Sequence, residues 1–199
     1  MYTILKKDTS AFIMLLFFTF NFLIGQRNYD LDMDTSSLVI TGTSTLHDWK
    51  VTSKKFYGSL NSDSKQSING RGGKGQITNG KFIVEAEKII SERGKTMDNK
   101  MYKALKSDIY PKIIFLFEST YNAGATEENM VKGLLEIAGK ENKVELQAMV
   151  SKLENTITIK GFKELKLTDY GINPPSAMFG QIETGNEIIV YFDLKFIKS

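Results

Sequence analysis

Apolar and polar residues alternate along most of the chain. Leu38 and Ile40 share one face of an extended segment, and Phe82 and Val84 share another. Ile113, Phe115 and Phe117 follow Pro111 at the same spacing, and Leu135 and Ile137 precede Gly139. Val144, Leu146 and Ala148 return beyond the turn at Gly139-Lys140-Glu141-Asn142, followed by Ile157 and Ile159. The longest run is Ile188, Val190, Phe192, Leu194 and Phe196. A period of two places such residues on one face of a strand, so each run reads as a half-buried strand. The pattern predicts about eight strands, over roughly 35–46, 48–61, 66–78, 80–91, 112–122, 130–139, 142–161 and 186–198. The seventh has a candidate break near Asn155.

Two segments depart from this period. Met97, Met101, Ala104 and Leu105 recur at helical spacing with lysines between them, which predicts a short amphipathic helix over about 96–106. Residues 165–180 carry Asp169-Tyr170-Gly171 and Pro174-Pro175, yet also Leu167, Tyr170, Ile172, Met178 and Phe179. That mixture reads as an ordered irregular loop. An open sheet of eight strands would leave two exposed edges, which closure removes. The expected fold is therefore all-β, an eight-stranded antiparallel barrel with one short helix. A β-sandwich stays open at this stage.

The N-terminus changes the picture of where the chain works. Lys6 and Lys7 precede an apolar run from Ala11 to Ile24, which ends at Gly25-Gln26. The run is short for a membrane span and has the layout of a secretory signal peptide. Residues 1–25 are thus expected to be a signal, and 26–199 one exported barrel domain, periplasmic or secreted, without a membrane span. Cysteine is absent, which excludes disulfides, thiolate metal sites and a cysteine nucleophile. A net charge of +3, evenly spread, gives no nucleic-acid groove.

Candidate chemistry is sparse. Gly70-Arg71-Gly72-Gly73-Lys74-Gly75 matches G-x-G-x-x-G, but lacks the preceding strand and following helix of a dinucleotide site. His47-Asp48 could belong to a hydrolytic triad, yet neighbours on a strand face opposite ways, so Asp48 is poorly placed to orient His47. Glu85 and Glu87, and the pair Glu127-Glu128, read as solvated surface rather than a metal site. The lysines, among them Lys160, Lys163 and Lys166, read as a solubilising surface. A narrower reading has Lys100, Lys103 and Lys106 touching anionic headgroups while Met97, Met101 and Leu105 guard a barrel mouth. No catalytic residue, metal or cofactor is expected.

Ser37 to Val51 (SLVITGTSTLHDWKV), Tyr110-Pro111-Lys112-Ile113-Ile114-Phe115 after the helix, Lys132 to Gln147 (KGLLEIAGKENKVELQ) and Leu167 to Gly180 (LTDYGINPPSAMFG), in that order and spacing, resemble the YceI-like family of bacterial exported proteins. The resemblance implies a lipocalin-like barrel that binds an isoprenoid or other lipid along an apolar interior. The expected lining is Leu38, Ile40, Trp49, Phe82, Val84, Ile113, Phe115, Phe117, Leu135, Ile137, Val144, Leu146, Val190, Phe192 and Leu194. His47 and Tyr170 are the expected polar contacts at a headgroup or mouth. A homodimer is allowed for among the partners. The alternative is a non-catalytic cell-envelope module with a filled barrel, since alternation alone does not separate a filled interior from a hollow one.

Overall fold

The computed structural model describes residues 27–62, 77–122 and 128–199. The segment read as a signal, most of the strand expected at 66–78, the Gly70–Gly75 match and Glu127 lie outside the described residues. Among the described residues twelve strands form: β1 (Arg27–Leu31), β2 (Ser37–Ser44), β3 (Trp49–Ser53), β4 (Phe56–Ser62), β5 (Ile77–Glu85), β6 (Ile89–Ser91), β7 (Lys112–Asn122), β8 (Glu128–Ile137), β9 (Lys140–Leu153), β10 (Thr156–Lys166), β11 (Ser176–Ala177) and β12 (Ile182–Lys198). The helix, α1, covers Lys95–Leu105.

Eight of the strands close a ring in the order β1-β4-β5-β7-β8-β9-β10-β12, and β12 meets β1 through Leu31–Phe196 and Tyr29–Lys198. Every pairing is antiparallel. β2, β3 and β6 extend this ring at one end, with β2 on β12, β3 on β2 and β6 on β3. Three walls of the barrel are therefore bent strands, interrupted between β1 and β2, β3 and β4, and β5 and β6. Asp32 makes the first break: its carboxylate accepts from Asp34 N and from Thr35 Oγ1 at 3.2 and 2.6 Å. Such local bonding competes with the ladder. The other two breaks lie side by side, tied by Lys54 N to Lys88 O at 2.7 Å and Glu85 N to Lys55 O at 3.2 Å. Ala86–Lys88 is a 3-10 turn, so Glu87, within the strand expected over 80–91, sits in that turn.

The end away from α1 is packed solid. Tyr29, Leu60, Ile77, Ala148, Ile157 and Phe196 are buried there in one cluster. Lys152 points into this end, donates from Nζ to Ser62 Oγ at 3.0 Å, and sits 5.3 Å from the Tyr29 ring centre. The Tyr29 hydroxyl is buried without a hydrogen-bond partner among the described residues, although the side chain is 0% exposed. An unsatisfied buried hydroxyl costs free energy that its removal restores. Tyr29→Phe is therefore expected to keep the ring contact with Lys152 and to raise stability by about 1 kcal/mol, read as a higher urea midpoint at unchanged slope. A lower midpoint would show that the hydroxyl has a partner.

Candidate ligand-binding site

The helix end of the barrel is hollow. A cavity of about 270 Å³ lies under α1, near the lower bound of ordinary small-molecule sites. The inward faces follow from register. Phe82, Phe115 and Leu135 stand side by side on β5, β7 and β8; Val84 is paired with Ile113, which packs against the cluster that holds Ile137. Ile40 and Val190 are paired between β2 and β12. Leu60, Phe117, Val131, Ile159, Leu194 and Phe196 form the floor, and Met97, Met101, Ala104 and Leu105 the roof.

α1 is clipped down at several points. Asp98, in its first turn, accepts from Ser91 N at 2.7 Å. Tyr102 donates its hydroxyl to the carbonyls of Glu87 and Ile89, each at 2.9 Å, and Ser107 Oγ donates to Glu87 at 3.0 Å. Lys106 ends the helix in the left-handed region at φ 52°, where Ser107 N reaches back to Tyr102 O at 3.0 Å. This is the usual way of satisfying the last carbonyls. The 3-10 turn Leu167–Tyr170 closes a second side, with Tyr170 and Ile172 buried against Ile137 and Ala138. Burial pushes the Tyr170 pKa up; the Asn142 side chain pulls the other way and the Asp169 charge adds to the rise.

The expected lining residues fall as follows. Leu38, Ile40, Trp49, Phe82, Val84, Ile113, Phe115, Phe117, Leu135, Ile137, Leu146, Tyr170, Val190, Phe192 and Leu194 all line the cavity. Val144 and His47 do not. Val144 is buried one step nearer the open end of β9, at the wall of an adjoining groove. His47 sits in the β2–β3 turn, where its carbonyl accepts from Ser44 N at 3.0 Å and from Ser44 Oγ at 2.7 Å. Its ring Nδ1 is 3.4 Å from the same hydroxyl, so its polar contact is with the hairpin. Missed in the sequence were Val51, Ile159, Lys163, Leu165 and Ile188 among others. Val51, Ile159 and Ile188 each lie two residues from an apolar position on their own strand, which is the signal that locates them.

Trp49 is the sole tryptophan. Its Nε1 donates to Thr43 O at 2.8 Å, and its ring lies across Gly42, where a Cβ would collide with it. Gly42 is thus needed for space rather than for conformation. Gly42→Val is expected to push the indole off its seat and shift the fluorescence maximum by several nanometres. An unchanged spectrum would show that the ring does not rest there.

A wider groove of about 1390 Å³ adjoins the cavity and shares Trp49, Met97, Lys163, Leu165, Tyr170 and Ile188 with it. Its origin is in the ladder. β9 and β10 are paired from Leu153–Thr156 up to Gln147–Phe162. Beyond that pair the strands part, although β9 runs on to Lys140 and β10 to Lys166. Asn142 Nδ2 spans the parting to Asp169 O at 2.9 Å. Among the described residues no helix is long and apolar enough to cross a membrane.

A closed antiparallel barrel with a capped apolar chamber at one end defines the lipocalin-like class of binding folds. The chain belongs to the YceI-like domain family, whose description matches residues 29–196. Solved structures agree in fold. Burkholderia cenocepacia BcnA is 17% identical, with a TM-score of 0.62 over 83% of this chain and 98% of that one. A polyisoprenoid binding domain from Saccharophagus degradans is 14% identical, with a TM-score of 0.62 over 86% and 98%. The Campylobacter jejuni YCEI protein is 15% identical, with a TM-score of 0.56 over 75% and 84%. No curated protein matches.

Proposed function

We propose that this chain takes up the hydrocarbon part of a lipid, an isoprenoid or fatty chain, in the barrel chamber, and sequesters or carries it after export. The observation that carries this reading is the apolar chamber under α1, which continues into an open groove where the barrel wall parts between β9 and β10. Burying about 400 Å² of chain at about 25 cal/mol/Å² gives roughly 10 kcal/mol gross. Association and ordering take back several of these, which leaves micromolar affinity or better. The role is binding rather than catalysis, in keeping with a relative that carries the name polyisoprenoid binding domain. Residues 1–25 act as the export signal in this reading, and the barrel works in the periplasm or beyond.

The competing reading, an interaction module without a ligand, draws on Phe162 and Tyr191. These stand on the outer wall with ring centres 6.1 Å apart, both exposed. Native mass spectrometry with organic extraction, on protein exported through its own N-terminus, separates the two. A stoichiometric prenyl or acyl species supports the carrier. Empty protein that also refuses added quinones and fatty acids overturns it.

A further inference from the structure

We propose that the ligand is an acid-headed lipid, with a carboxylate or phosphate at one end, and that Lys163 holds that head. The proposal rests on the lipid-binding reading above and names the class of lipid. Lys163 follows Ile157, Ile159 and Gly161 on the inward face of β10 and is paired with Val190, which also lines the chamber. The side chain is half-buried. Lys152, on β9, has a hydroxyl and a ring as partners at the packed end. The Lys163 side chain has no ion pair or hydrogen bond among the described residues.

Its position fits a headgroup. Lys163 lies at the first step beyond the last β9–β10 pair, where the chamber opens into the groove. Strand geometry puts it roughly 20 Å from the level of Ile157 at the packed end. A tail pointing at the floor would leave its head at this ammonium. The ionised side chains that line the chamber are all lysines: Lys81, Lys100, Lys163 and Lys166. Carboxylates line the adjoining groove: Glu187 is 3.8 Å from Lys166, Glu92 is 2.8 Å from Lys50 and Glu145 is 2.8 Å from Lys132, and Asp48, Glu164 and Asp169 complete the set. An oxyanion at this point would accept charge-assisted hydrogen bonds from the ammonium.

The test compares matched chains that differ only in the head. Hexadecanoate is set against hexadecanol, and geranylgeranyl phosphate against geranylgeraniol, with binding read from Trp49 fluorescence and checked by native mass spectrometry. The wild-type chain is expected to prefer each acid at least tenfold. Lys163→Met and Lys163→Gln should bring that preference below threefold and leave alcohol binding within twofold. Lys163→Arg should retain it, as should Lys160→Met, whose side chain pairs with Asp193 on the outer wall at 3.1 Å. Preference for only one acid identifies the head as carboxylate or phosphate. Equal wild-type affinity for acid and alcohol, or a preference that survives Lys163→Met, overturns the assignment and leaves the carrier reading standing. If none of the four chains binds, the carrier reading fails and this assignment with it.

Discussion

Val190→Trp is expected to weaken chain binding at least tenfold while the melting temperature moves by less than about 3 °C. The expectation comes from where Val190 stands. It is half-buried on β12, between Lys163 on β10 and Ile40 on β2, and faces the chamber under α1. An added indole has empty space to enter, so it competes with the ligand and not with the core. In a filled barrel the same substitution overpacks, and overpacking costs typically 1–3 kcal/mol. For a domain of this size that is a fall of about 2–12 °C. Titration with a fatty acid and a calorimetric scan on the same sample decide between the two interiors. A large thermal loss in protein that never bound a chain would retire the carrier reading.

The contrast between a hollow half and a filled half is the part of the site that was not legible in the sequence. Alternation placed Phe82, Phe115 and Phe192 inside, and the chamber wall contains them. The same alternation runs without a break into Phe196, which is packed at the closed end. Period reports a face and not the space in front of it. Register at the far ends of the strands decides that space, and register is a long-range property.

Other departures have local causes. β1 went unread because Tyr29 and Leu31 are its only apolar positions and lie beside the presumed signal. The candidate break near Asn155 in the expected strand 142–161 is a full turn, with β9 and β10 joined at Glu154-Asn155. Glu154 takes the left-handed turn conformation at φ 49°, a place where glycine or asparagine is the usual marker. By contrast, α1 falls within one residue of its expected bounds, because methionines and leucine at helical spacing between lysines point one way only. Lys163 was read as surface, together with Lys160 and Lys166. A lysine on a strand is usually solvated, and only the pairing with Val190 shows that this one turns inward.

Phe196→Ala is expected to cost about 3–5 kcal/mol, the range for deleting a buried aromatic ring. That is a large share of the 5–15 kcal/mol that holds a typical domain. Phe196 is 1% exposed and sits where the ring of strands closes, paired with Leu31 on one side and Ile157 on the other. Its loss removes packing from the one joint that β1 makes with β12. Because Phe196 is also the chamber floor, the cavity left behind opens toward Tyr29 and Ile157. The substitution should therefore act in two directions: a lower urea midpoint, and a shift in chain preference toward ligands longer by two to four carbons. The control is Phe162→Ala on the exposed outer wall, which should move stability by about 0.5 kcal/mol or less and leave chain preference alone. A Phe196→Ala protein of near wild-type stability would mean that the packed end is loose. An unchanged preference at reduced stability would mean that the ligand's tail does not reach the floor, and would place the bound chain nearer the groove between β9 and β10.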